Sequence, residues 1–520
     1  MPWWHEGVFY QIYPRSFCDS NNDGVGDIKG IVQRLDHLAW LGVDGIWLNP
    51  VTHSPNDDWG YDVSDYVSVH PELGTIEDVD ELVDEAGKRG IRILLDLVPN
   101  HTSTEHKWFE DARSSRSSVH RDWYVWADPK PDGSPPNNWL SVFGGDAWEY
   151  DEGSGQYYLH NFLDSQADLN WWNEEVKDAM DDVLRFWYRR GIAGFRIDVA
   201  HGIVKDKDLR DNLPATEQDH PRLQALGQVQ TYSMNQPGVH DVIKRWRTVS
   251  ESFDPPRILV GETFLFDLAE VAKYYGRGDE LHMAFNFPFI FAPFEAKPLR
   301  DVVELTESFL DPLAWPAWTG SNHDVLRFPT RWCTGNDRKT RLALMMLMTL
   351  RGTPFLYYGD EIGLPNTALS AADVKDPVGM RSWTSNLGRD PARTPMHWND
   401  EPGAGFTSGN TTTWLPFGDR SRNVEAQKAD SGSILALTRS LISLRKSSAD
   451  LTRGSYESVD SPEGVWVFRR GESTLVALNF SDRNVAVGVG GAVELATYGR
   501  VAPDARRLEL LPWQGAVVKE

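Results

Sequence analysis

The chain has 520 residues, 40% hydrophobic and 25% charged, a balance that supports a substantial core and excludes an intrinsically disordered chain. Its formal net charge of −24 disfavours nucleic acid, which is bound through clustered Lys and Arg, and suits a neutral small molecule better. Residues 1–10 hold no basic n-region and no uninterrupted apolar stretch, and no run elsewhere approaches the roughly 18 residues of a membrane helix, so a cytoplasmic protein without a membrane partner is expected. Cys18 and Cys333 are far apart and outside any metal motif, which predicts two buried free thiols.

Apolar strand-like runs alternate with amphipathic helical stretches from residue 8 almost to residue 450. Val8–Tyr13 leads to a helix striped by Ile28, Ile31, Val32, Leu35, Leu38 and Ala39 and stopped by Gly42. Gly45–Leu48 precedes a helix capped by Thr75 and Asp78, with Ile76, Val79, Leu82, Val83 and Ala86 on one face. After the strand Ile91–Leu97 the alternation breaks for about seventy residues, too long for a structureless loop, so residues 102–172 form a small inserted domain. Asn173 caps the next helix, and strands follow at Ile192–Ile197, Arg257–Val260, Met283–Phe287, Ala317–Gly320 and Pro354–Tyr358, with helices near 239–253, 267–275, 299–310 and 338–350. Eight alternating units with polar residues after several strands favour a closed (β/α)8 TIM barrel over an open sheet. Barrel segments 1–101 and 173–445 are therefore expected, the second carrying a Pro- and Gly-rich insertion at about 363–424 and ending in a helix at 433–445. Short strands near 464–468, 474–478 and 515–518 predict a C-terminal β-sandwich over 446–520.

In such a barrel the reacting groups project from the C-terminal strand ends. Asp96, Asn100 and His101 follow strand three, Arg196 and Asp198 strand four, Glu262 strand five, and His323 and Asp324 strand seven. Alternation puts Arg196 and Asp198 on one strand face. Paired carboxylates are the usual equipment for cleaving a glycosidic bond, and the retaining version needs them about 5 to 5.5 Å apart, one ionised and one protonated.

The stretches Asp96-Leu97-Val98-Pro99-Asn100-His101, Gly194-Phe195-Arg196-Ile197-Asp198, Gly261-Glu262-Thr263 and Ser321-Asn322-His323-Asp324, with Asp58–Asp62 and Gly388–Trp398, occur in an order that resembles the α-amylase family of glycoside hydrolases, family 13. The chain is most similar to its α-glucosidase and oligo-1,6-glucosidase branch. That resemblance implies a retaining mechanism with Asp198 as nucleophile, Glu262 as acid/base and Asp324 holding the distorted sugar. It also implies a pocket for terminal glucose lined by Asp58, Tyr61, His101, Arg196, His323 and, of the pair Arg389/Arg393, Arg389. Phe143, Phe162 and Trp383 are candidates for stacking on a second sugar. Charge pairing with Arg196 is expected to keep Asp198 anionic, and a neighbouring anion in a water-poor pocket to keep Glu262 protonated.

Asp19–Asp27 spaces oxygen groups at alternate positions around Gly24, like the first nine positions of a calcium loop, but Gly30 stands where an EF-hand needs its acidic ligand. Related α-glucosidases hold one divalent cation in a similar loop, which implies Ca²⁺ bound by Asp19, Asn21, Asp23, the Val25 carbonyl and Asp27, in a structural role and with no organic cofactor.

The expected activity is exo-acting release of glucose from short α-glucosides such as maltose, by a monomer or homodimer. The alternatives are an oligo-1,6-glucosidase acting on isomaltose-type substrates, or a sucrose-active or transglucosylating relative. In related enzymes valine after the nucleophile, here Val199, accompanies α-1,6 cleavage. Ala200-His201-Gly202 departs from that pattern, however, and one methyl group discriminates by only about 1–3 kcal/mol. Alanine at 167 replaces the branch's usual proline. Val325-Leu326-Arg327-Phe328 does not reproduce the Arg-rich motif of sucrose isomerases. Retention of all three acids argues against barrel relatives that serve as transporter-associated interaction proteins.

Overall fold

The structure is a computed structural model that describes residues 2–381, 388–501 and 507–520. Eight parallel strands, β1 (Phe9–Ile12), β2 (Gly45–Leu48), β3 (Arg92–Leu97), β4 (Gly194–Ile197), β5 (Ile258–Gly261), β6 (Met283–Ala284), β7 (Ala317–Thr319) and β8 (Thr353–Tyr357), pair in the order β6-β5-β4-β3-β2-β1-β8-β7. A parallel bridge from Phe285 to Ala317 joins the two ends and closes the barrel. Both faces of these strands are covered, which is why they read as apolar runs rather than alternating ones. Gly194 is required where β4 meets β5, since a Cβ there would lie 2.3 Å from the Ile258 carbonyl oxygen.

The outer ring is α1 (Ile28–Leu41), α2 (Ile76–Lys88), α3 (Glu174–Arg189), α4 (Gly238–Glu251), α5 (Leu268–Lys273), α6 (Ala296–Phe309), α7 (Asp337–Thr349) and α8 (Ile434–Ser447). The Thr75/Asp78 capping box and the Asn173 cap form as the sequence predicts. In α1 the buried stripe is Ile28, Ile31, Leu35, Leu38 and Leu41, and Ala39 turns to solvent. The expected strand Met283–Phe287 is shorter, because the Asn286 side chain accepts from the Phe289 amide and Pro288 pre-sets the first turn of a helix over Phe287–Phe291.

Between β3 and α3 lies an antiparallel sheet of Trp126–Ala127, Gln156–Leu159 and Trp148–Asp151. Between β4 and α4 a hairpin of Leu213–Pro214 and Gln228–Val229 brackets a one-turn helix, Pro221–Leu226, an excursion with no periodic signal in the sequence. After α8, five antiparallel strands form a sheet whose alternation separates two packings. Val465, Val467, Leu475, Ala477, Ala516 and Val518 face the two-stranded sheet Val485–Val487/Leu508–Leu510, while Trp466, Phe468, Val476, Leu478 and Val517 join the barrel's core. Cys18 and Cys333 are buried and unpaired. Among the described residues no helix is long and apolar enough to cross a membrane.

Candidate active site

Arg196 organises the centre of the rim. In the β3–β4 register it lies directly beside Asp96, and its Nη1 donates to Asp96 Oδ1 at 2.9 Å and to Asp198 Oδ1 at 2.7 Å. Its Nη2 lies 2.7 Å from Glu262 Oε2, and its guanidinium carbon sits 5.0 Å over the Trp47 ring. One buried cation thus ties the two candidate reacting carboxyls together; the alternation along the strand predicts its contact with Asp198, and the fold adds the contact with Glu262. Asp198 Oδ2 and Glu262 Oε1 accept no hydrogen bond from the described residues, so each carboxyl keeps one oxygen for chemistry.

The electrostatics differ from the sequence-based expectation. Burial, rather than the pairing with Arg196, dominates the Asp198 carboxyl and pushes it well above the usual carboxylate range; Arg196 opposes this, while Glu262, Asp96 and Asp324 add to it. Asp96 is likewise pushed up to about 6 by burial, against the pull of Arg196. Three carboxyls around one guanidinium carry a net negative charge when all are ionised. Burial thus moves both Asp198 and Asp96 toward the neutral form.

Asp324 stands across the pocket. Its carboxylate meets Arg389 Nη1 at 2.9 Å, Arg393 Nη2 at 3.1 Å and His323 Nε2 at 3.0 Å. Burial pushes this carboxyl up, but contact with His323 and the two guanidiniums overrides it and holds the group well below the carboxylate range. His323 itself is brought down to about 4 by burial, so it is neutral near pH 7. The Gln11 side-chain amide contacts its Nδ1 at 2.9 Å, which leaves the proton on Nε2, facing Asp324 and, at 2.6 Å, the Tyr61 hydroxyl. Tyr61 donates to Asp96 Oδ2 at 2.9 Å, which couples the two halves of the site. His101, also near 4 through burial, contacts the Tyr61 carbonyl oxygen at 3.0 Å from Nε2.

Arg389 bridges Asp58 (2.8 Å), Asp324 and Asp376 (2.7 Å). Arg393 is almost wholly enclosed and spends its Nε on the His323 carbonyl. Arg389 is the more accessible of the pair, its side chain 14% exposed against 1% for Arg393. Asp376, which no motif marks, is the anchor behind it: burial pushes its carboxyl up, but Arg389 and Arg393 hold it at about 2. Arg389 also lies 5.4 Å over Phe143, and Phe162 packs between Phe143 and His101 at ring separations of 5.5 and 5.1 Å. Trp383 lies outside the described residues.

Two further residues that sequence reasoning missed connect the inserted domain to the rim. Gln166 Nε2 reaches Asp58 Oδ2 at 3.3 Å, and the buried Lys205 pairs with Asp168 at 2.8 Å while donating to the Asn100 side chain beside His101. The Asp19–Asp27 loop is closed by its own hydrogen bonds. Asp19 Oδ1 accepts from the amides of Asn21 and Asn22, Asp23 Oδ1 from Val25, and Asp27 Oδ1 from Gly30 at 2.6 Å, capping α1. Among the described residues no three His, Cys, Asp or Glu side chains converge as a metal-binding group.

A closed parallel barrel whose C-terminal rim gathers two carboxyls on one arginine and a third facing them defines a glycoside hydrolase of the two-carboxylate kind. The chain belongs to the alpha-amylase family: residues 11–454 match its catalytic domain. It is 43% identical over 499 residues to a probable alpha-glucosidase of Rhizobium meliloti (strain 1021), covering 92% of this chain and 90% of that protein. It is 40% identical over 531 residues to an oligo-1,6-glucosidase of Heyndrickxia coagulans, covering 93% of each. Among solved structures it superimposes on the alpha-glucosyl transfer enzyme XgtA with a TM-score of 0.94 and 40% identity over the full length of both chains.

Proposed function

We propose that this protein is a retaining, exo-acting α-glucosidase that removes terminal non-reducing glucose from short α-glucosides such as maltose. The observation that carries the reading is the shared guanidinium of Arg196, which holds one oxygen each of Asp198 and Glu262 and leaves the other two free. In this reading Asp198 Oδ2 attacks the anomeric carbon while Glu262 Oε1 hands its proton to the departing glycosidic oxygen. The bond to the leaving group breaks, and a glucosyl ester of Asp198 forms with inverted configuration. Glu262 then takes a proton from water, which displaces Asp198 and restores the α configuration. The mechanism requires Asp198 as the anion and Glu262 as the proton donor when the sugar binds. Asp58, Tyr61, His101, His323, Asp324 and Arg389 form a charged, hydrogen-bonding wall suited to the hydroxyls of one glucose. The inserted segments supply the far side, so chain ends enter and chain interiors do not.

Oligo-1,6-glucosidase activity is the second reading, favoured by Val199 beside the nucleophile, and transfer to an acceptor other than water fits the same intermediate. Glucose release from maltose, isomaltose, sucrose and trehalose, followed by NMR of the first-formed anomer, tests both. α-Glucose from maltose supports the leading reading, isomaltose cleavage without maltose cleavage supports the second, and a β product overturns the mechanism.

The Asp19–Asp27 loop belongs to the same proposal. Asp19, Asn21, Asp23, the Val25 carbonyl and Asp27 offer only oxygen donors, the chemistry of a hard cation such as Ca²⁺, and none of them takes part in the rim, so the ion's role is structural. One tightly held calcium after exhaustive dialysis is expected; none would remove the claim. A cytoplasmic location and a monomeric or homodimeric state are part of the reading; the two buried free thiols support the first.

A further inference from the structure

Just beyond Glu262 in the chain, Phe264 enters an aromatic cluster. Phe264, two residues beyond Glu262, packs against Phe287 and Phe291 with ring separations of 4.4 and 6.0 Å, and Phe266 stacks on His220 at 3.5 Å. His220 belongs to the excursion between β4 and α4. From the same excursion Arg222 lays its guanidinium 4.3 Å over Phe291 and 5.4 Å over Phe264. Arg222 is exposed, and among the described residues its guanidinium makes no ion pair and no hydrogen bond. Five donors in a rigid fork are thus presented, unused, beside Phe264 and Phe291.

A second arginine reinforces this edge. Arg331, which reaches the same aromatic cluster at the carbonyl of Ile290 beside Phe291, donates only to the main-chain carbonyls of Ile290, Gly320 and Leu326, which satisfy its hydrogen bonds without cancelling its charge. In a chain of net charge −24, two cations without carboxylate partners mark the rim. The glucose side already consumes its arginines on Asp58, Asp324 and Asp376. The charge left over therefore lies beside the aromatic cluster next to the acid/base, where a departing group sits once Glu262 protonates its oxygen.

Building on the α-glucosidase reading, we propose that Arg222 selects α-glucosides whose leaving group carries an anionic substituent, a carboxylate or a phosphate. The aromatic faces of Phe264 and Phe291 hold the body of the leaving group, and the guanidinium takes the anion in a charge-assisted pair. Without that pair, the carboxylates of the site repel such a substrate.

The test uses three glucosides of matched shape, 4-carboxyphenyl, 4-phosphophenyl and the neutral 4-carbamoylphenyl α-glucoside, with the wild-type enzyme and Arg222→Gln. The wild type is expected to show the higher kcat/KM on the anionic pair, a preference that shrinks as ionic strength rises. Arg222→Gln is expected to lower the anionic-to-neutral ratio about tenfold, the size of one charge-assisted hydrogen bond. Preference for only one of the two anions identifies which group the subsite takes. Turnover of the neutral glucoside with no anionic preference, or a ratio unmoved by the substitution, overturns this inference alone. Failure to split any of the three overturns the α-glucosidase reading and this inference with it.

Discussion

The amide of Val199 donates to Glu262 Oε2 across 2.9 Å, so the residue that follows the candidate nucleophile also fixes the candidate acid/base. Val199 achieves this at φ +43°, a left-handed conformation that β-branched residues seldom adopt and that persists only where the surrounding structure enforces it. Its side chain is buried. Val199→Ala removes volume there while keeping the amide bond to Glu262. The kcat/KM ratio of maltose to isomaltose should rise by about tenfold, within the 1–3 kcal/mol that small apolar differences command. Side-by-side kinetics on the two disaccharides check it, and an unchanged ratio would separate linkage preference from this position.

Asp198 is where function opposes stability. Burial favours its neutral form, yet attack on the sugar needs the anion. Asp198→Asn supplies a permanently neutral side chain of the same shape and leaves Arg196 with Asp96 and Glu262. Turnover should nearly vanish while stability at pH 7 rises by about 1–2 kcal/mol, the range seen when functional strain is removed. Denaturant midpoints and aryl glucoside assays on the same preparation measure both. A less stable, inactive variant would mean that the pair with Arg196 outweighs burial.

Much of this was legible in the sequence because it is local. The eight strands, the caps at Thr75 and Asn173, and the acids at strand ends follow from periodicity and from residues adjacent in the chain. The alternation of Arg196 and Asp198 also predicted their shared face. Two things were hidden for a physical reason. Asp376 reaches Arg389 from a segment with no repeating pattern, and only the folded chain brings it there. The dominance of burial at Asp198 is a property of everything packed around it, which charge counting along the chain does not capture.

Asp376 should matter to binding more than to chemistry. It touches no proposed reacting atom, but its carboxylate, anionic down to about pH 2, holds Arg389 at 2.7 Å in the position where that arginine spans Asp58 and Asp324. Asp376→Asn keeps the shape and removes the charge. The expected result is a KM for maltose raised by roughly ten- to a hundredfold, since hydrogen bonds to charged groups are worth about 1.5–3 kcal/mol, with kcat falling by less. A kcat lost at constant KM would place Asp376 in the chemical step instead.

Asp62 gives a pH signature of the loop that presents Asp58 and Tyr61. Its carboxylate accepts from the Ser54 hydroxyl at 2.6 Å and from the amides of Asp57 and Asp58 at 2.8 and 3.1 Å, and burial pushes it up to about 6 against those hydrogen bonds. A carboxyl raised in the folded state binds its proton more tightly there than in the unfolded chain. Its contribution is therefore fully present below the unfolded value of about 3.9 and is lost as pH rises through about 6. Asp62→Asn does not titrate. Its stability relative to wild type should improve between pH 4 and pH 8 by on the order of 3 kcal/mol, from about 1.4 kcal/mol per unit over the two units of displacement. Urea denaturation of both proteins across that range checks it. A difference that stays flat with pH would show that the hydrogen bonds to Asp62, rather than its burial, set its charge.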